Sequence, residues 1–418
     1  MGKTMAEKIL AKAAKTKDVS PGDLLDVFPN VAMSHENAGL VSKVFKSIGV
    51  PKLYNPESIV IIFDHRVPAE TAKTAEGHKT VREFIKDYGI KNFHDINTGI
   101  CHQVLPEYGY CRPGEVLVGT DSHTTTHGAF GTFSTGIGAT EMAAVWATGK
   151  LWLMVPESIK VTTKGKLKTG VYSKDLILYL IGLLKADGAD YKSVEFFGKA
   201  IDEMTVASRM VLTNLSMEMG AKAAMIPPDQ KTIDYVKSVT DKPFEVVKPD
   251  SDAHYSRTIE VDLDKLTPQI ACPHAVDNVK PVADMAGTPI HQALLGSCTN
   301  GRLEDLEIGA KILAGKKVHN EVRMLVIPAS WKVYKEALNR GILSTYIDAG
   351  AIILNPGCGP CLGAHQGLMA PGERCISSTN RNFKGRMGST EAEIFLASPA
   401  TVVTSAMAGK ITVPEAKK

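Results

Sequence analysis

Apolar positions in this chain fall into short continuous runs rather than long periodic stretches. Ile59 to Phe63, Glu115 to Val118, Gln292 to Leu295, Met324 to Ile327, Ala351 to Leu354 and Arg374 to Ser377 end abruptly in polar or glycine-rich turns and lead into helical patterns. Runs such as IVIIF and AIIL, lacking strict alternation, suit strands buried on both faces, so the pattern predicts α/β units around mostly parallel sheets flanked by helices. Ligands in such sheets bind beyond the carboxyl ends of the strands. The residues at those positions are reactive: Asp64-His65, Asp121-Ser122-His123, Cys298, Cys358 and Asn380-Arg381.

Between about 155 and 284 the texture changes. A helix is expected over Ser173 to Leu184, an amphipathic one over Ala207 to Met219, and a Lys/Asp-rich connection from about 237 to 258. A chain of 418 residues holds two or three domains at ordinary domain sizes. Three units are therefore expected, over 1–154, 155–284 and 285–418. The glycine-rich stretch from Gly128 to Glu141 satisfies neither GxGxxG nor GxxxxGK[ST] and is read as a tight turn entering a helix.

Composition narrows the function classes. Forty-eight Lys and Arg against 45 Asp and Glu give a formal charge of +3, and no run of five like charges occurs, which disfavours nucleic-acid arms and polybasic tethers. The longest apolar stretch, Leu176 to Leu184, is too short to span a bilayer. Without an apolar leader at the N-terminus, a cytoplasmic protein is expected. Seven cysteines, an odd count spread over the chain, fit a reducing compartment and must first be read as metal ligands.

Cys358 and Cys361 form a C-x2-C turn in NPGCGPCLG, and a distant third thiol, Cys298, stands in GSCTNGR. That set matches zinc, an iron–sulfur cluster or a redox pair. Gly296, Gly357, Gly359 and Gly363 crowd the three cysteines and are expected to give backbone room for a bulky cluster. No fourth cysteine stands at a fitting distance, which suits a cluster with one iron free to act as a Lewis acid better than an electron carrier. Asp64-His65 offers a carboxylate that can hold an imidazole protonated as a general acid. His102, Asp121 and His123 repeat the acid–imidazole theme. Asn214 and Glu218, four apart, share a helix face, and Arg381 and Arg386 suit carboxylate binding.

Taken together, GSCTNGR, NPGCGPCLG, NRNFKGR, DSHT, FDH and the helix with Asn214 and Glu218 resemble the aconitase superfamily over essentially the whole chain, in particular its free-standing large subunits of the isopropylmalate dehydratase and homoaconitase type. The resemblance implies a three-domain α/β body with one [4Fe–4S] cluster per large subunit, one iron of which is not bound by cysteine. By the match, Cys298, Cys358 and Cys361 are the ligands, Asp64 and His65 the acid pair, and His102, Asp121, His123 and Glu218 further catalytic positions. His35, Ser122, Arg381 and Arg386 correspond to substrate-binding positions, with Asn214, Asn300 and Asn380 in the cluster environment. Two departures stand out. The family's HDxTxP is His35-Glu36-Asn37-Ala38-Gly39-Leu40 here, which puts the substrate-facing loop in question, and Thr125 replaces a cysteine of DSHTCTHG that is not a cluster ligand.

The superfamily's swivelling fourth domain, which carries a serine base, is not found before Lys418. A separate small subunit is therefore expected to supply it, leaving the lone chain inactive. The implied reaction is reversible dehydration of a malate-type 2-hydroxy acid, with 3-isopropylmalate in leucine biosynthesis as the first choice. The alternatives are 2,3-dimethylmalate, citramalate or homocitrate/homoaconitate. A zinc-stapled or RNA-binding protein is the non-enzyme rival, against which the absence of basic stripes weighs; neither nucleic acid nor membrane is an expected partner.

Overall fold

A computed structural model describes residues 2–415; Met1 and residues 416–418, the end of the chain, lie outside that description. The fold is α/β, built on four sheets. Strands β1 (Leu24–Val27) and β7 (Leu151–Met154) form a small antiparallel pair. A five-stranded parallel sheet takes β2 (Val31–Ser34), β3 (Ile59–Ile62), β4 (Asn92–His94), β5 (Val116–Gly119) and β6 (Phe133–Gly136) in the order β4-β3-β2-β5-β6. A four-stranded parallel sheet orders β8 (Ser158–Lys164), β9 (Ser193–Phe197), β10 (Ala223–Met225) and β11 (Arg257–Asp262) as β10-β9-β8-β11. The third large sheet has seven strands: β12 (Gln269–Ala271), β13 (Val279–Pro281), β14 (Gln292–Gly296), β15 (Arg323–Ile327), β16 (Ile352–Ile353), β17 (Arg374–Ser377) and β18 (Glu393–Ala397). Its order is β13-β12-β18-β17-β14-β15-β16, parallel except at β12 and β13.

Each apolar run named from the sequence lies on one of these strands. The central strands β2, β3, β5 and β14 are buried throughout, as continuous apolar runs require. Strand order reverses twice. In the five-stranded sheet the chain moves outward from β2 through β3 to β4, then returns to β5 on the other side of β2. In the seven-stranded sheet it moves from β14 through β15 to β16, then returns to β17 beside β14. Adjacent loops at such a reversal diverge and leave a crevice at the carboxyl ends of the strands. The loops after β2, β3 and β5 carry His35, His65 and Asp121; those after β14, β16 and β17 carry Cys298, Cys358 and Asn380.

The structure corrects one reading and sharpens two others. The glycine-rich stretch 128–141 holds strand β6 between a 3-10 segment (Ser122–Phe130) and the helix Ala139–Thr148, so it is a sheet element and not merely a turn into a helix. Gly128 serves close packing there, since a Cβ would lie 1.6 Å from the Ala224 carbonyl oxygen. The helix expected over 207–219 is an α-helix over Val206–Leu215 that tightens to a 3-10 turn over Ser216–Met219, and most of its second half, Leu212, Leu215 and Met219 included, is buried. The expected Lys/Asp-rich connection runs between Val239 and Arg257 and packs on the N-terminal helix, with Asp250 accepting from the Lys3 N–H and pairing with Lys8. Among the described residues no helix is long and apolar enough to cross a membrane.

Candidate active site

The two crevices open into one cavity of about 570 Å³, lined by His35, His65, His102, Asp121, Ser122, His123, Cys298, Cys358, Asn380, Arg381 and Arg386 among others. Asp64 lies behind its wall, fully buried. One of its oxygens accepts the Cys101 N–H at 2.7 Å and the other lies 2.6 Å from His65 Nδ1. The far side of the same imidazole, Nε2, lies 3.2 Å from Asp121 Oδ2, and the His35 ring stacks on it at 4.0 Å. Burial alone would discharge His65. The charge of Asp64 and the hydrogen bonds to Asp121 and Asp64 outweigh it and hold the imidazole's pKa well above its ordinary value. Burial opposes ionisation of Asp64 and Asp121 too, but their imidazole neighbours leave both carboxyls below the usual range. The result is an imidazolium clamped between two carboxylates and facing the cavity.

Asp121 is the hub of a wider array. Its Oδ1 caps the following 3-10 turn by accepting the His123 N–H at 2.7 Å, and it also takes the His102 Nε2 at 2.8 Å. His123 Nε2 lies 2.9 Å from Glu218, whose same oxygen accepts Arg381 Nε at 2.8 Å. Burial would keep Glu218 neutral; His123 and Arg381 reverse that and lower its pKa. Ser122 Oγ sits 3.3 Å from His123 Nδ1.

On the opposite wall, three buried thiols converge. Cys298 Sγ receives the side-chain amides of Asn380 at 3.3 Å and Asn214 at 3.6 Å, and Cys361 Sγ lies 3.4 Å from Asn380 Oδ1. Burial pushes the Cys298 thiol up to about 11. The Cys358 and Cys361 sulfurs share a hydrogen bond that raises the first and lowers the second, with the charge of Arg386 helping Cys361 give up its proton. Converging soft donors, amide N–H groups aimed at sulfur and open cavity in front of Cys298 and Cys358 fit an iron–sulfur group held by three cysteines. Cys298 and Cys358 line the cavity and Cys361 lies behind them against Asn380; the other cysteines, 101, 111, 272 and 375, do not line it.

The glycines around the thiols do something other than leave empty space. A Cβ at Gly296 would lie 2.1 Å from the Ile327 carbonyl oxygen, at Gly363 2.2 Å from that of Arg386, and at Gly357 3.0 Å from that of Asp64. Gly296, Gly357 and Gly363 thus let neighbouring loops approach rather than provide cluster volume, whereas a Cβ at Gly359 would meet only the His365 ring at 3.3 Å. Arg386 Nε donates to the Cys361 carbonyl at 2.6 Å and Arg381 Nε to Glu218; both arginines line the cavity, and no carboxylate among the described residues pairs with the terminal nitrogens of either. The Asn300 amide nitrogen donates to Asp305 at 2.8 Å, and its Oδ1 is buried with no hydrogen-bond partner among the described residues.

Several participants gave no signal in the sequence. Glu36, read as part of a departure, accepts the N–H groups of His65 and Arg66 at about 3 Å and so ties the His35 loop to the acid pair. Asn37 accepts the Thr120 hydroxyl at 2.7 Å, joining the same loop to β5. His127 lies 3.5 Å from His102 Nδ1 and 3.2 Å from the Cys111 thiol, extending the array inward. His35, Glu36, Asp64 and His65 place potential ligand atoms within 4.8 Å of one another, yet their carboxylates already serve His65 and backbone N–H groups.

Comparison with known proteins agrees with this geometry. The aconitase family (aconitate hydratase) matches residues 7–409. The probable 3-isopropylmalate dehydratase large subunit of Methanothermobacter thermautotrophicus is 52% identical over the full length of both chains. The 3-isopropylmalate dehydratase large subunit 1 of Methanopyrus kandleri is 50% identical over 99% of each. The probable methanogen homoaconitase large subunit of M. thermautotrophicus is 49% identical over 98% of this chain and 97% of that one. The chain therefore belongs to the aconitase family and is a hydro-lyase.

Proposed function

We propose that the chain is the catalytic large subunit of a two-subunit [4Fe–4S] dehydratase acting on a malate-type 2-hydroxy acid, with 3-isopropylmalate the preferred substrate. One observation carries the reading: two thiols of a buried cysteine triad, Cys298 and Cys358, an imidazolium held between carboxylates and the guanidinium groups of Arg381 and Arg386 line the same cavity, with Cys361 directly behind. Cys298, Cys358 and Cys361 would hold the cluster, which when bound supplies a Lewis-acidic iron not filled by cysteine. His65, kept protonated by Asp64 and Asp121, donates its proton to the departing hydroxide and takes one back in the reverse direction. Arg381 and Arg386 bind carboxylate through their guanidinium groups. Glu218 and His123 fix the Arg381 fork, and His102 fixes the rotamer of Asp121.

Removing the α-proton requires a base on the opposite side of the substrate. The relatives named above are large subunits, which supports a separate small subunit as the source of that base. Their names divide between isopropylmalate and homoaconitate chemistry at nearly equal identity, so homocitrate is the competing substrate. The test is anaerobic co-expression with the small subunit, followed by ultraviolet assay of alkene formation from 3-isopropylmalate, homocitrate, citramalate and 2,3-dimethylmalate. A kcat/KM highest for 3-isopropylmalate supports the assignment, and activity confined to a tricarboxylate overturns it.

A further inference from the structure

Behind the thiols lies a charge with no evident counter-ion. Lys174 is fully buried in the first turn of the helix Ser173–Leu184. Its Nζ donates to the carbonyl oxygens of Ser378 at 2.8 Å and Thr379 at 2.5 Å, and no carboxylate lies within ion-pair distance among the described residues. The nearest acids are committed elsewhere. Asp175 accepts the N–H groups of Gln269 and Tyr172, Asp305 accepts from Asn300 and Arg302, and burial pushes both carboxyls up to about 7. A buried ammonium without an anion is costly. Burial pulls Lys174 down to about 7, and the leading groups that favour its charged form are Cys298 and Cys361. The two carbonyls it grips immediately precede Asn380, the residue in contact with both of those sulfurs.

We propose that Lys174 is the buried counter-cation of the thiolate site, a positioning residue that stabilises the negative charge of the bound cluster and sets its reduction potential. This inference rests on the cluster reading above. Three thiolates on an iron–sulfur core leave a net negative charge that grows by one on reduction, so a fixed cation in a poorly polarisable interior favours loading and favours the reduced form. The lysine comes from the helix layer of the middle region, whereas the ligands come from loops of the seven-stranded sheet. Its charge therefore makes cluster retention depend on the packing of one part of the chain against the other.

The test compares Lys174→Gln, which keeps an N–H donor for a carbonyl, with Lys174→Met, which keeps none, and Lys174→Arg, which keeps the charge. Each variant is co-purified anaerobically with the small subunit and its fold checked by circular dichroism. Iron release to a chelator and the midpoint potential from an EPR-monitored titration are then measured. Both neutral variants should release iron about tenfold faster than wild type, the usual scale for losing an outer-shell partner, and both potentials should move negative while that of the arginine variant stays near wild type. Unmoved potentials in the neutral variants, or a glutamine variant matching wild type in both readouts, would make Lys174 a tether and defeat the proposal. An arginine variant whose potential moves as far as that of glutamine would defeat it as well. Wild-type protein that holds no iron and sulfide after reconstitution would overturn the cluster reading and this inference together.

Discussion

Asp64→Asn isolates the electrostatic part of the acid pair without changing its shape. The carboxylate is fully buried and 2.6 Å from His65 Nδ1. Two unit charges at that separation in an effective dielectric of about 20 attract by about 6 kcal/mol. Asp121, 3.2 Å from the other ring nitrogen, retains part of the support for the imidazolium. An asparagine can still accept the Cys101 N–H through its oxygen, and its amide nitrogen then faces Nδ1 as a donor. That arrangement requires an unprotonated Nδ1, so the neutral imidazole is favoured. The sign follows: wild-type His65 has a raised pKa and keeps its proton at neutral pH, whereas the variant gives it up at lower pH. Loss of a general acid costs about 10²- to 10⁴-fold; with Asp121 still present, the lower half of that range is expected in kcat, with KM little changed. The alkaline limb of the kcat–pH profile should move to lower pH while iron and sulfide content stay at wild-type levels. A variant with wild-type kcat and an unmoved alkaline limb would refute the assignment of His65 as the charged acid.

Other perturbations probe the remaining parts. Cys358→Ser should abolish or severely weaken cluster retention, read as iron and acid-labile sulfide per chain; an unchanged visible spectrum would remove it from the ligand set. Arg381→Lys loses both the bidentate fork and the tie to Glu218, so KM should rise about 10- to 100-fold, the scale of one or two charged hydrogen bonds. Gly296→Ala sets a Cβ 2.1 Å from the Ile327 carbonyl at a φ of +131°, and thermal melting should show a loss of about 2 kcal/mol or more. The pH dependence of unfolding has two signs. The depressed Asp64 and Asp121 stabilise the fold above about pH 4 and lose that contribution as pH falls through their lower folded values. His65, raised on folding, contributes fully below about pH 6.5, and its share disappears as pH rises through its higher folded value. Denaturant titrations at several pH values should show both flanks.

Parallel strands buried on both faces need continuous apolar residues, which is why runs such as Ile59 to Phe63 and Gln292 to Leu295 are central strands. The run AIIL departs from this, since β16 is a two-residue edge strand with Ile352 exposed. The same rule made the site visible, because chemistry at a parallel sheet collects where the strands end. Residues were hidden where their partner is remote in sequence. Lys174 meets carbonyls some two hundred positions away, and Glu218 becomes an ionic link only because β5 and β17 bring His123 and Arg381 to it. Nothing local distinguishes Glu36 from a surface acid, although it holds two backbone N–H groups of the acid loop. Strand β6 was hidden by its shortness among glycines: Phe133 and Thr135 are strand formers, but four residues set between Gly131 and Gly138 make no readable run, and parallel pairing with β5 is what fixes them as a strand.

The division of labour between the two large sheets has a consequence for how the site is held together. Proton chemistry comes from loops of the five-stranded sheet, while thiols and arginines come from loops of the seven-stranded sheet. Few direct hydrogen bonds join the two sets across the cavity; one is the Cys358 N–H donating to the Asp64 carbonyl at 2.8 Å. The middle region supplies the other joints. Asn214 reaches the Thr126 hydroxyl on one side and Cys298 on the other, and Glu218 links His123 to Arg381. Each of these residues bridges the two walls through a single side chain. Small displacements of the segment Val206–Met219 therefore shift the acid relative to the thiols and arginines together, a change in alignment that general acid catalysis and bidentate anion binding tolerate poorly.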